Sequence, residues 1–129
     1  MQDLFIVKAL CYFFEAPNEI EISGRIGKHK RFKEINGIYV KKEELYNGRV
    51  YYDNLILNEQ DHRRRSIWWD QDKNQWQITS LLGSYGGEVY LNEDVLFPTL
   101  ATSPWIIDDG EKDQNIIIRD LGGKIVIND

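Results

Sequence analysis

Cysteine is almost missing from this chain of 129 residues. The lone thiol, Cys11, excludes any internal disulfide, so the fold rests on its apolar core. Cys11 lies in an apolar stretch and reads as a small packed hydrophobe rather than a nucleophile, since nothing places a cation or histidine beside it. Histidine is nearly as scarce. His29 and His62 are far apart and lack ligand spacing, which leaves zinc without a donor set. There is no apolar run of 18 residues, so no membrane-spanning helix is expected. Positive charge is the minority sign, with 16 Lys and Arg against 21 Asp and Glu and a net charge of −5. That balance argues against nucleic acid as a partner, because phosphates require a positive field.

Catalytic and nucleotide motifs are missing as well. The chain has no Gly-x-Ser-x-Gly elbow, no Gly-x-x-x-x-Gly-Lys-Ser/Thr phosphate loop and no Gly-x-Gly-x-x-Gly. Gly24-Arg25-Ile26-Gly27-Lys28 is too short for a phosphate loop and reads as a turn. Asp70-x-Asp72-x-Asn74 opens like a calcium loop, but Gln75 stands where glycine belongs and Leu81 where the closing glutamate belongs. The acidic run Asp108–Asp113 reads as a solvated loop. These absences imply no enzyme, no metal and no cofactor. The opening Met1–Phe14 lacks a basic leader region and a small-residue cleavage site, Lys8 interrupts it, and the chain carries no Asn-x-Ser/Thr sequon. An intracellular, cytoplasmic location is therefore expected.

What the chain does contain is regular punctuation. Turn clusters recur at Ala16-Pro17-Asn18, Ser23-Gly24, Asn36-Gly37, Asn47-Gly48, Asp70–Asn74, Ser84–Gly87, Asp108–Gly110 and Gly122-Gly123. Short runs rich in Ile, Val, Tyr and Trp lie between them. Strands are expected at Leu4–Phe14, Glu19–Ser23, Gly37–Val40, Val50–Leu57, Ser66–Trp69, Gln75–Thr79, Glu88–Leu91, Trp105–Ile107, Asn115–Arg119 and Lys124–Ile127. By periodicity alone the first of these is also compatible with a buried helix. Helix formers at Lys41–Tyr46 stop at Asn47-Gly48 after one turn. Hairpins are expected at Ser66–Thr79 and at Trp105–Ile118. The fold class is all-β, a single antiparallel β-sandwich or open barrel of about 8–10 short strands with little helix, spanning 1–129.

Two features suggest binding. The basic clusters Lys28-His29-Lys30-Arg31-Phe32-Lys33 and His62-Arg63-Arg64-Arg65 stand out against an acidic background. If their loops meet, they offer an anion-binding patch for lipid headgroups or an acidic partner; otherwise they are solvated charge. The adjacent pairs Trp68-Trp69 and Tyr51-Tyr52 must point to opposite faces if they lie in strands. One member of each then packs inside, and the other is left for a partner or a sugar ring. Candidate binding residues are thus Trp68, Trp69, Tyr52, Arg49, Arg63, Arg64, Arg65, Lys28, Lys30 and Arg31.

The order Ser23-Gly24, Asn36-Gly37-Ile38-Tyr39, Asn47-Gly48-Arg49-Val50-Tyr51-Tyr52, Trp68-Trp69, Trp76, Pro98, Pro104-Trp105, Asp109-Gly110 resembles a repeat module of alveolate and stramenopile proteins. The similarity covers about 20–118. It implies a small β-rich unit, often in tandem or attached to other domains, with no established catalytic role. The chain departs from that pattern in its single copy and its extra N-terminal run. Within the motif, Asn-Gly suits tight turns at positive φ, and Arg49 suits a carboxylate anchor or stacking on a tryptophan. The reading is a non-enzymatic protein-binding or scaffold module of a cytoskeletal or membrane-associated assembly. Its alternatives are glycan binding on an aromatic groove, anionic-lipid binding through the basic loops, and a homodimer seam at an exposed edge.

Overall fold

Strands form where β-branched and aromatic residues run between the turn clusters, and they are short because those clusters are closely spaced. The computed structural model describes residues 13–58, 60–84 and 87–122. Nine strands result: β1 (Glu19–Ser23), β2 (Gly37–Lys41), β3 (Tyr52–Asn54), β4 (Ser66–Asp70), β5 (Gln75–Thr79), β6 (Val89–Leu91), β7 (Trp105–Ile107), β8 (Lys112–Asp113) and β9 (Ile117–Asp120). Two 3-10 turns accompany them, at Lys33–Ile35 and Pro98–Leu100.

All pairings are antiparallel, in one sheet of order β8-β7-β6-β5-β4-β3-β2-β1-β9. β1 through β8 form a meander. β9 lies at the opposite edge from β8, although only Gln114–Ile116 separates the two in sequence. Three residues reach about 10 Å, so the sheet must curl until its edges approach. Alternation makes β1 and β7 run the same way, and residues 112–120 run against both. That stretch is one split closing strand, pairing first with β7 and then with β1. The fold is a curled open barrel, and the sandwich alternative is set aside.

The seam is tight. A Cβ on Gly24 would lie 1.7 Å from the carbonyl oxygen of Asn115, and Gly24 has φ +93. Only glycine fits there, sterically and conformationally. Inside the barrel, β4 and β5 supply the largest cross-strand pair, Trp69 opposite Trp76, with ring centroids 5.8 Å apart. Ile20, Ile22, Tyr39, Tyr52, Ile67, Ile78, Leu91 and Ile107 are fully buried beside it. The outer face of β4 is covered too, since all five of its residues are buried. Tyr46 packs edge-on against Trp68 at 5.8 Å, and Trp68 Nε1 donates to Thr79 Oγ1 at 2.8 Å.

Several expectations change. Of the expected strand Leu4–Phe14, only Phe13 and Phe14 are described, and their backbone is helical. Lys124–Ile127 lies outside the described residues. The expected Val50–Leu57 shortens to β3: the Asn54 N–H still donates to Arg65 O, and the chain bends at Leu55. The Ser66–Thr79 hairpin forms, with Asn74 at φ 56 in its loop. The second hairpin closes around Gly110 but pairs β7 with β8; residues 117–120 cross to β1 instead. Asn47-Gly48 makes a tight turn with both residues at positive φ, bridged by Tyr46 and Arg49. Asn36-Gly37 makes no hairpin turn. Asn36 is extended, and its side chain bonds the backbone N–H and C=O of Arg25 at 3.1 and 2.8 Å.

Candidate functional site

Strand direction puts the β1–β2 and β3–β4 loops, which carry the two basic clusters, at the same end of the barrel. Carboxylates meet the cations there. Lys30 Nζ bonds Glu111 Oε1 at 2.5 Å, and Arg31 bonds Asp108 with Asp109 at 3.7 Å. Arg63 forks onto Asp61 at 2.7 and 3.0 Å, and Arg65 Nε faces Glu88 at 3.6 Å. Hydrogen bonds from Lys30 hold Glu111 below its usual range, and those from Arg63 do the same for Asp61. Lys28 is exposed. The clusters therefore form a mixed-charge surface in which phosphate would have to displace carboxylates.

The tryptophans do not provide an outer platform. Trp68, Trp69 and Tyr52 are all buried. Period-two alternation does send Trp68 and Trp69 to opposite faces, but Tyr46 shields the outer one. Tyr52 donates its hydroxyl to Pro17 O at 2.7 Å, and burial raises its pKa. Arg49 does both things expected of it. Its guanidinium lies 3.8 Å from the Trp69 ring centroid, and it bonds Val95 O at 2.7 Å and Asp94 at 2.6 Å. Those contacts tie the 47–49 turn to the β6–β7 connection, beside Trp76, whose Nε1 donates to Val95 O at 2.8 Å. Among the described residues, the motif positions Gly24, Tyr39, Asn47, Arg49, Trp69, Trp76 and Trp105 thus build the barrel.

The open surface lies elsewhere. A groove of about 820 Å³ runs over the outer face of β2 and β3, between Val40–Glu44 and Asp53–Leu57. Leu55 is 61% exposed and Leu57 is 89% exposed. Arg64 Nη1 donates to Leu57 O at 3.3 Å and props this arm. Asp53 anchors the floor. Its Oδ1 accepts from Ser66 Oγ at 2.6 Å, while Oδ2 lies 3.5 Å from Arg64 and 3.9 Å from Lys42. At the rim Tyr51 donates to Glu44 at 3.0 Å; burial and that carboxylate push the Tyr51 pKa up to about 12. Asn54 donates to Arg63 O at 2.8 Å, and its buried Oδ1 has no hydrogen-bond partner.

Only Arg64 of this groove was among the candidates from sequence. Lys42, Asp53, Leu55 and Leu57 were missed. The signal was there: Leu55-Ile56-Leu57 is a run of three apolar residues that a period-two strand cannot turn to one face. Among the described residues, no helix is long and apolar enough to cross a membrane, and no three His, Cys, Asp or Glu side chains gather as a metal site. No family model matches the chain, and comparisons with curated proteins and with solved structures found no match either.

Proposed function

We propose that the chain is a non-enzymatic protein-binding module of an intracellular assembly, and that its contact surface is the groove over β2 and β3. The observation that carries this reading is the pair of exposed leucines, Leu55 and Leu57, beside a groove rimmed by Lys42, Glu44, Asp53 and Arg64. An apolar arm held out by an arginine hydrogen bond leaves area that water solvates poorly, and polar-rimmed patches of that kind mark protein contacts. Alternating charge at the rim supplies orientation and a salt-sensitive approach. The burial of Trp68, Trp69 and Tyr52, and the carboxylate pairing of Lys30, Arg31 and Arg63, lend more support to a protein contact than to the glycan and anionic-lipid alternatives.

The test is affinity purification of the tagged chain from its own cells, beside Leu57→Asp, Arg64→Glu and a control, Leu100→Asp, on a different exposed leucine. A partner retained by the parent and control but lost from Leu57→Asp, with binding weakened by salt, supports the reading. A partner held equally by all four proteins moves the contact away from this groove.

A further inference from the structure

The closing stretch 112–120 covers the gap between the sheet edges only in part. Its first half pairs with β7 and its second half with β1, so among the described residues no strand takes the outer edge of β9. The register fixes which way the β9 backbone groups point. Leu121 N–H donates to Glu19 O at 3.0 Å, and Glu21 with Arg119 and Ser23 with Ile117 are the pairs that bond in the same way. Ile118 and Asp120 alternate with these, so their N–H and C=O groups point away from β1 and towards the open edge. Ile117 on this strand is 58% exposed, although apolar residues on open edges invite pairing.

A groove of about 430 Å³ borders that edge. Ile116, Ile117 and Ile118 form one wall, and Ala101, Pro104 and Trp105 belong to the other. No residue of β1 lines it, so it lies on the unpaired side. Glu93 holds the far wall. Its carboxylate accepts the N–H groups of Thr102 and Ser103, both at 2.8 Å, and the Thr102 hydroxyl at 2.9 Å. Those donors are taken, which leaves β9 as the template. Among the described residues, no charged side chain lines the groove. It therefore suits an uncharged segment, since a charge brought out of water without a partner is costly.

We propose that this edge accepts an extended, uncharged, apolar segment of a partner protein as an added strand. Backbone bonds to Ile118 and Asp120 supply the affinity. The groove takes an apolar side chain of the segment against Ile118, which packs on the core. This contact is separate from the groove over β2 and β3, with which it shares no residue. A second copy fits poorly, because β9 of another barrel arrives with β1 attached, where the 101–104 wall already stands.

The test is amide exchange, read residue by residue on the full chain, with and without the acetylated and amidated hexapeptide Thr-Val-Thr-Ile-Thr-Val. In the free chain at low concentration, Ile118 and Asp120 should exchange fast and Arg119, bonded to β1, slowly. Saturating peptide should slow Ile118 and Asp120 by about tenfold. The same peptide with aspartate for each valine should not. Ile117→Asp should abolish the effect, while Leu57→Asp, on the other groove, should keep it. Slow exchange of Ile118 and Asp120 without peptide would mean that the chain's own ends cover the edge. Protection that grows with protein concentration would mean that a second copy does. Either result overturns the proposal, as does a peptide that leaves both amides unchanged.

Discussion

Arg25 and Asp113, 88 positions apart, meet at 2.7 Å across the barrel seam. Both side chains are buried, with relative exposures of 2% and 6%. Arg25 Nε also donates to Arg31 O at 2.9 Å, and Glu111 lies 3.4 Å from its Nη1. The closing stretch is thereby fastened to the loop that leaves β1. Burial alone would raise the Asp113 pKa, but the Arg25 hydrogen bond and the Asn115 N–H outweigh it and hold that carboxyl low.

Removing one partner leaves a buried charge behind. Arg25→Met and Asp113→Asn should each cost about 3–5 kcal/mol in denaturant unfolding. The double variant should cost clearly less than the sum of the two. Additive losses would mean that the two residues do not act as a pair.

Arg49→Ala should lose the Trp69 stack, the Val95 bond and the Asp94 pair together, at about 2–3 kcal/mol. Arg49→Lys should recover little, because an ammonium cannot lie flat on the indole while bonding two acceptors. Chemical denaturation with Trp fluorescence reads both the stability and the environment of Trp69. Full recovery by lysine would reduce the role of Arg49 to its charge.

Arg65 and Arg63, two positions apart, should behave differently. Arg65 is buried, donates to His62 O and Arg64 O at 2.6 and 2.7 Å, and faces Glu88, whose Oε2 makes no hydrogen bond. Arg65→Ala should destabilise by about 3 kcal/mol or more. Arg63 pairs with Asp61 in solvent, and Arg63→Ala should leave the midpoint unchanged, less so its salt dependence. Equal effects in thermal melts would contradict this ordering.

Acid should unfold the protein through Asp113, Glu93 and Glu111, all of which sit below their ordinary values. A lowered folded-state pKa contributes stability that is complete above the unfolded value and is lost as pH falls. Stability should hold above pH 4.5 and decline from there, past 3.8, the ordinary values of Glu and Asp. At the other end, Tyr51 is raised from 10.0 to about 12, so its contribution is complete below pH 10 and is lost towards 12. Thermal midpoints across pH check the acid side, with Asp113→Asn flattening the slope. Tyrosinate absorbance checks the alkaline side, where Glu44→Gln should lower the Tyr51 transition.

The strand segments were legible because β-branched and aromatic runs between turn residues are a local signal. Asn47-Gly48 was legible for the same reason, since both positive φ values belong to the turn itself. Asn36-Gly37 carries the same dipeptide yet caps a 3-10 turn, because Asn36 is claimed by the distant backbone of Arg25. The roles of Arg49 were written in its chemistry, although the identity of its ring, Trp69, was not.

Sequence by itself determined the antiparallel all-β class, most strand positions and the absence of a disulfide framework, all properties of residue type and spacing. Tertiary structure alone decided which way the closing stretch pairs, which tryptophans are covered and which cations are neutralised. Those outcomes depend on contacts across the chain, such as Arg25 with Asp113 and Tyr46 with Trp68. Periodicity assigns a side chain to a face; only the curl of the sheet and the path of its loops determine whether that face meets water.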